Sequence, residues 1–407
     1  MEASAFDWFV GIDWASATHD VRLLDVQGQE GEHRRVPHAG AALEELADWL
    51  VAKSGGHPER VAIAIEITRG AVVEGLLARG FAVFGINPKQ LDRFRDRYTV
   101  AGTKDDRRDA FVLADTLRTD RGRYRRLAVT PARLIALRAL VETQEELGEE
   151  ERRLTNRLRA VLERYYPQML TLAPAADEPW LWTLLERVPT PTRAAGATAA
   201  QIRRVLQRHR IRRLDATAVR TTLQQRALPV APGTAEAAAG QALLLVARLR
   251  LAHAQRTQCD KQVAAALDEL AADDPESDAA LLRSLPGVGT CVAGALLVDA
   301  SELLATRDYA RLRCQTGIAP VTRRSGKRRT VVMRYACSAR LRRAMYHWAF
   351  GSMQRTPYGR TVYAAARARG HSHGRALRGL ADRLLRVLIA MLRTRTPYDP
   401  QRLATAA

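Results

Sequence analysis

Two short apolar runs that read as buried strands each end in an acid, and this pattern constrains the fold more than any other feature of the chain. Phe9, Val10, Gly11 and Ile12 lead into Asp13, and Val61, Ala62, Ile63, Ala64 and Ile65 lead into Glu66. The second run has no polar alternation, as expected of a central strand covered on both faces. A carboxylate there is costly to bury unless positive charge offsets it. A further strand, Val21 to Leu24, returns after an SATHD turn, which makes a hairpin with Asp13 inward at one edge. Downstream, KDDRRDAFVLADTL sets Asp106 and Asp109 at i and i+3, on one face of a helix, while Asp105 and Asp115 point elsewhere.

Acids arriving from two strands and one helix can meet at one metal site. Hard divalent cations prefer oxygen ligands, and a carboxylate-held metal pair stabilises both the attacking and the leaving oxygen at a phosphate. Taken singly, each acid is ordinarily a turn or capping residue. The joint order of strand Asp, strand Glu and helix Asp-x-x-Asp is that of a ribonuclease H-like nuclease core. The expectation is a tetrad, Asp13, Glu66, Asp106 and Asp109, that binds Mg²⁺ or Mn²⁺.

Charge points to the substrate class. The chain holds 64 Lys and Arg against 44 Asp and Glu, a formal charge of +20. From Arg311 to Arg395 there are 21 Lys or Arg and a single acid, Asp382, so this segment carries the whole excess and the remaining 43 of each sign cancel. Such a field attracts polyanions and makes binding steeply salt dependent. Tyr335, Tyr346, Trp348, Tyr358 and Tyr363 are interleaved with the basic residues, available either to stack on unpaired bases or to fill a core. Nucleic acid is thus favoured over an anionic membrane. The cysteines at 259, 291, 314 and 337 form no CxxC pair, which is expected of reduced thiols without zinc. No apolar run reaches membrane-span length and MEASAFDWF is not a signal sequence, so a soluble cytoplasmic protein is expected.

At 407 residues two or three domains are expected. An α/β domain runs from 1 to 125, with strands near 8–13, 20–25, 61–67 and 81–87 and helices near 40–53, 70–79 and 106–118. Asn87-Pro88 ends its fourth strand and opens a basic approach, FRDRYTVAGTKDD, whose Lys104 is placed to touch a phosphate. The middle, 126–275, begins with a long helix in which Leu137, Val141, Leu147, Leu154, Leu158, Val161 and Tyr165 make a coiled-coil seam interrupted by Gln144 and Glu151. A second helical run, Glu236 to Leu270, pairs with it antiparallel or with another subunit. Between them, residues 166–235 read as Pro-rich turns and one short basic helix, QIRRVLQRHRIRRL, either solvated or in contact with nucleic acid.

After the AADDPESD linker, 276–407 reads as a mainly helical domain. LRSLPGVGTCVAGALL resembles a helix-hairpin-helix turn whose glycines admit a DNA phosphate, and an ordinary turn between helices remains equally open. In GIAPVTRRSGKRRT, Ser325 stands among Arg323, Arg324, Lys327, Arg328 and Arg329, with Gly326 letting the backbone crowd a phosphate. Those cations, with Arg342 and Arg343 on the next helix, are candidate nucleic-acid contacts. Such surroundings suit a hydroxyl that attacks a phosphate. A Ser-Gly in an Arg-rich loop is by itself most often a turn, and no histidine lies nearby in sequence to act as base.

The order GIDWAS, IE, NP and KDDRRDA, followed by LPGVG, GIAP and RSG, resembles the DEDD-type transposases of bacterial insertion-sequence family one-ten, relatives of the Piv DNA invertase. The resemblance covers the first domain and about 279 to 365. It implies a RuvC-like N-terminal domain with Asp13, Glu66, Asp106 and Asp109 as the metal-binding tetrad, and Ser325 as the nucleophile of a covalent phosphoserine link to DNA. It also implies guidance by a structured RNA encoded beside the gene and sequence choice by base pairing. Bacterial, nucleoid-associated localisation follows from it. Two departures stand out: Lys104-Asp105-Asp106 where the family commonly has Lys-Thr-Asp, and Tyr335-Ala336-Cys337-Ser338 where it carries Gly-Asn, which makes Ser338 a rival to Ser325.

The function expected is that of a transposase and site-specific recombinase that cleaves and exchanges DNA strands, as a homodimer or tetramer that completes the site between subunits. Two alternatives stay open. One is a metal-dependent, junction-type endonuclease that needs no serine. The other is a basic nucleic-acid-binding protein without catalysis.

Overall fold

The computed structural model describes residues 6–97, 106–326 and 328–400. The chain divides between Pro131 and Ala132 into two compact units.

In the first unit one sheet is built from β1 (Trp8–Asp13), β2 (Thr18–Asp25), β3 (Glu30–Pro37), β4 (Val61–Ile65), β5 (Ala82–Gly85) and β6 (Arg125–Arg126), in the order β3-β2-β1-β4-β5-β6. β1, β4 and β5 are mutually parallel, and every other neighbouring pair is antiparallel. β1 therefore lies inside the sheet rather than at an edge, with β4 completing its second side. Helices α1 (Gly40–Lys53) and α2 (Ala71–Ala78) cover one face, and α3 (Pro88–Arg95) and α4 (Asp106–Asp120) the other.

β4 shows why the two faces differ. Val61, Ile63 and Ile65 pack with Leu46 and Leu50 of α1 and Val72, Val73 and Leu76 of α2, whereas the small Ala62 and Ala64 face Leu91, Val112, Leu113 and Leu117 of α3 and α4. Small residues there let α4 approach the sheet closely. The nearest approach is at Gly11, where an added Cβ would overlap the Ala110 carbonyl oxygen and stand 2.7 Å from the Ala114 nitrogen.

Two elements of this unit escape the sequence pattern. β3 is mostly polar, burying Val36, and holds its place through the β2 ladder, with His33 Nε2 2.7 Å from Asp20 Oδ1. α3 is a helix where a basic connecting stretch was expected, because Asn87 caps it by accepting from the Lys89 amide (3.0 Å) and Pro88 takes its first position.

The second unit begins with α5 (Ala132–Tyr165), continues through α6 (Pro167–Leu172), α7 (Pro179–Arg187), α8 (Pro191–Ala195), α9 (Ala199–Arg208) and α10 (Ala216–Leu223), and returns along α11 (Thr234–Ala272). There follow α12 (Asp278–Ser284), α13 (Thr290–Asp299), α14 (Ser301–Ala305), α15 (Tyr309–Gln315), a hairpin of β7 (Val321–Ser325) and β8 (Arg328–Val332), α16 (Ala339–Arg355), α17 (Pro357–Ala368) and α18 (His373–Thr394).

α5 and α11 pair antiparallel within the chain. Gln144 and Glu151, the two breaks in the apolar stripe, form buried polar layers. Gln144 Nε2 donates to Asp260 Oδ1 (2.5 Å), and Glu151 bonds Arg256 (2.6 Å) and His253 (2.8 Å). Burial acts to raise the Glu151 carboxyl, but those two partners hold it below the ordinary carboxylate range. One end of this pair joins α12 to α18 in a common core around Trp348, Leu384 and Leu385, and the other end carries α6 to α10 around Trp180 and Trp182.

Residues 166–235 are thus a five-helix bundle rather than turns with one helix. Pro167, Pro179 and Pro191 each occupy the first position of a helix, where the missing N–H costs nothing. The C-terminal segment's acid, Asp382, is enclosed by Tyr309 (2.8 Å), Arg313 (2.6 Å) and Arg386 (3.4 Å). All four cysteines are free thiols. Among the described residues no helix is long and apolar enough to cross a membrane.

Candidate active site

The last registered pair of the parallel strands β1 and β4 is Ile12 with Ile65, so Asp13 and Glu66 are the next residue on each, at the carboxyl end of the sheet where α/β proteins place their ligands. Gly11 and Asp13 are two residues apart and share a face. That face is the one on which α4 lies, touching at Ala110, the residue directly after Asp109. Asp106 and Asp109 occupy the first turn of α4. Sheet register, the glycine contact and helix start together bring the four predicted acids to one end of one sheet.

Their surroundings differ. Asp106 is exposed, Asp13 and Glu66 are half-buried, and Asp109 is 2% exposed. Asp109 is matched by a residue that the sequence pattern did not single out: Arg95, at the end of α3, donates from Nε to Oδ1 (2.6 Å) and from Nη2 to Oδ2 (2.8 Å). Burial works to lower the Arg95 pKa, but Asp109, with the charges of Asp92 and Glu66, raises it above the usual guanidinium value. Arg95 is thus the guanidinium that holds Asp109 at this end of the sheet. Its sequence signal is weak, one of two arginines in PKQLDRFR. Carboxylate oxygens are the right donors for a hard cation. Among the described residues, however, no three His, Cys, Asp or Glu side chains are grouped to hold a metal ion, and both Asp109 oxygens are taken by the guanidinium.

Ser325 is the last residue of β7 and faces Arg328, the first of β8, across the hairpin turn. Gly326 in that turn has φ +54°, a left-handed conformation that glycine adopts freely. By strand alternation Arg323, Ser325, Arg328 and Thr330 share one face, while Arg324 and Arg329 stand opposite each other on the other. Like charges directly opposite destabilise a ladder. All four arginines are exposed and none forms an ion pair among the described residues.

The remaining predicted contacts divide. Lys104, Asp105 and Lys327 lie outside the described residues. Arg342 lies over Tyr335 at 6.0 Å. Arg343 instead pairs with Glu145 (2.7 Å) and Glu149 (3.7 Å) of α5, so an intramolecular acid pair occupies it. Ser338 is the cap of α16, accepting from the Leu341 amide at 3.2 Å, which gives it a structural role. Trp348 is fully buried and donates to Pro286 O (3.2 Å), and Tyr358 and Tyr363 pack on the core, leaving Tyr335 and Tyr346 exposed. In the LPGVG turn Gly287 has φ +81° and backs onto the α16 main chain, where an added Cβ would stand 3.1 Å from Ser352 N, so close helix packing accounts for that glycine.

Over residues 10–167 the chain matches the DEDD transposase family of IS110 elements, and over 279–364 the Transposase IS116/IS110/IS902 family. It is 31% identical over 402 residues to the mini-circle transposase candidate of IS117 from Streptomyces coelicolor, which covers 97% of this chain and 96% of that protein. It is 48% identical over 209 residues to the transposase candidate y4uE of Sinorhizobium fredii, where the match spans 51% of this chain and 58% of y4uE. The 43.6 kDa protein of insertion element IS110 from Streptomyces coelicolor is 29% identical over 405 residues, 96% of this chain and 95% of that one. These matches define the class, a transposase of an insertion element. Within it, the chain belongs to the IS110 family.

Proposed function

We propose that this transposase moves its element by breaking and rejoining DNA through a serine-linked intermediate, with the first unit a RuvC-like domain acting on the scissile phosphate. Asp13, Glu66, Asp106 and Asp109 would hold a divalent cation, Mg²⁺ or Mn²⁺, once Arg95 gives up Asp109. When bound, such a cation supplies Lewis-acid stabilisation of phosphoryl charge. Ser325 Oγ attacks the phosphorus: the Oγ–P bond forms as the P–O bond to a deoxyribose oxygen breaks, and that oxygen gains a proton. The serine proton passes to a base on another element, because the described hairpin side chains around Ser325 offer guanidinium groups and no base. Arg323 and Arg328, on the serine's own face, bind the phosphate and offset its charge.

The observation that carries this reading is the hairpin: an exposed hydroxyl beside four arginines that have no ion-pair partner among the described residues. The 21 basic residues from Arg311 to Arg395 support polyanion binding, in this reading both DNA and a structured guide RNA. Assembly of protomers into a dimer or tetramer completes it.

The test is a denaturing gel with purified protein, Mg²⁺, RNA from the flanking locus and labelled element-end DNA. Wild type should give a protein–DNA adduct that Ser325→Ala and Asp106→Asn both lose. Because Ser325 is exposed, its alanine variant should keep wild-type stability within about 0.5 kcal/mol. Cleavage without adduct that persists in Ser325→Ala would replace this reading with a hydrolytic nuclease. Binding unaltered in both variants, with no cleavage by wild type, would leave a nucleic-acid-binding protein.

A further inference from the structure

The two family matches cover residues 10–167 and 279–364, and the bundle of α6 to α10 falls almost wholly between them. Its charge is predominantly positive. Residues 166–233 hold ten arginines against four acids, Asp177, Glu178, Glu186 and Asp215. Three of those acids are committed: Glu178 to Arg213 (2.6 Å), Glu186 to Arg250 of α11 (2.7 Å), and Asp215 to the amides of Thr217 (2.8 Å) and Ala218 (3.0 Å) as the cap of α10. Arg203, Arg204, Arg208, Arg210, Arg212 and Arg220 are all exposed and form no ion pair among the described residues.

The arrangement of these residues is costly to the fold. α9 buries Ile202, Val205 and Leu206 and turns Arg203, Arg204 and Arg208 outward. Arg204 and Arg208, at i and i+4 with no acid between them, repel along the helix. Arg210 follows with φ +54°, a conformation that side-chain-bearing residues avoid. His209, between Arg208 and Arg210, is anchored by its Nε2 at 2.9 Å from Thr183 Oγ1. Its pKa is lowered, first by burial and then by Arg208 and Arg250. A ligand that neutralises the arginines would relieve this repulsion.

The large aromatic rings of the bundle are not available to a nucleic acid. Tyr165, Tyr166, Trp180 and Trp182 are at most 1% exposed, so none can stack on an unpaired base. The Thr221 and Thr222 hydroxyls turn back to the helix carbonyls of Thr217 (3.0 Å) and Ala218 (3.1 Å). Its exposed guanidinium groups present a donor fork that fits phosphate oxygens. Arg204 and Arg208 are about 6 Å apart along the helix, and duplex DNA carries a charge every ~1.7 Å of its axis, so each has a phosphate in reach.

We propose that the α6–α10 bundle is a second DNA-binding surface, which grips the phosphate backbone of duplex DNA. It rests on the family's action on DNA but on neither the carboxylates nor Ser325. The test uses the full chain and a random-sequence DNA duplex, with affinity followed by fluorescence anisotropy across a salt series. Arg204→Ala/Arg208→Ala should lower the slope of log affinity against log salt by about two and weaken binding in 0.1 M salt on the order of 10- to 100-fold.

The matched control is Arg153→Ala/Arg157→Ala, which removes an equally spaced, exposed pair from α5 and should have a much smaller effect. Arg204→Lys/Arg208→Lys keeps the charge and should keep the slope. Equal losses in the bundle and control variants would overturn the proposal, as would a loss in the lysine variant. A slope change on an RNA duplex with none on DNA would overturn the assignment to DNA. None of these readouts requires cleavage, so they stand whether or not Ser325 is the nucleophile.

Discussion

Replacing Arg95 with alanine removes the ion-pair partner that both oxygens of a nearly buried carboxylate, Asp109, bond among the described residues, and the structure sets the size of the effect. Asp109 is 2% exposed and accepts two charge-assisted bonds from Arg95, at 2.6 and 2.8 Å. Breaking a buried pair from one side costs about 3–5 kcal/mol, because the remaining charge has lost both its partner and its water. The Arg95 side chain is itself 26% exposed, so water enters where the guanidinium stood and the cost falls at the low end, about 3 kcal/mol.

That corresponds to roughly a hundredfold rise in local opening, read as faster hydrogen exchange at the buried β4 amides, Ala62 to Ile65. Asp109→Asn in the same chain removes the stranded charge, so Arg95→Ala/Asp109→Asn should recover at least half of the loss. Millimolar Mg²⁺ should slow exchange in Arg95→Ala but not in the double variant, by ~1.4 kcal/mol at ten times its Kd. An Arg95→Ala protein whose β4 exchange changes less than tenfold, or a double variant as unstable as the sum of the singles, would refute the pairing argument. Mg²⁺ protection equal in both variants would refute a cation at Asp109.

Gly11→Ala should be worse tolerated than an alanine on any exposed strand position. Its Cβ meets the α4 main chain at Ala110 and Ala114, and about 3 kcal/mol of stability should be lost, with wild-type β4 exchange counting against the close contact. Acid should loosen the first unit through His19. Burial, then the neighbouring His38, push its pKa below 6.5, so the folded state binds fewer protons than the unfolded one below that pH. This contribution is complete above pH 6.5 and is lost as pH falls below it. His19→Asn should flatten the decline, and an unchanged slope between pH 7 and 5 would exclude His19 as its source.

The parts of the fold legible in the sequence are those where burial writes a period. β1, β4 and β5 and helices α1, α2 and α4 fall close to their expected limits, because apolar runs and stripes mark them. The parts that were not legible depend on backbone pairing or on a cap. β3 is mostly polar, and α3 and three of the five bundle helices, α6, α7 and α8, begin at prolines that also signal turns. At the candidate site, the order of the acids identifies a common end of the sheet, but Arg95 is a tertiary partner that no spacing announces. Aromatic residues were ambiguous for the same reason: Trp348 and Tyr335 stand in the same basic segment, one in the core and one in solvent.

The two polar layers between α5 and α11 act as a register lock. Gln144 and Glu151 are seven residues apart, as are their partners Asp260 and His253, so both layers close together only at one alignment of the helices. A residue deleted from one helix alone shifts everything beyond it by about 1.5 Å and 100°, stranding a carboxylate in the seam. Length changes in this family member are therefore tolerable only in pairs across the seam or in the connection at its far end. That connection is where the basic bundle sits, so changes of length on the bundle's surface leave the alignment of the seam unaltered.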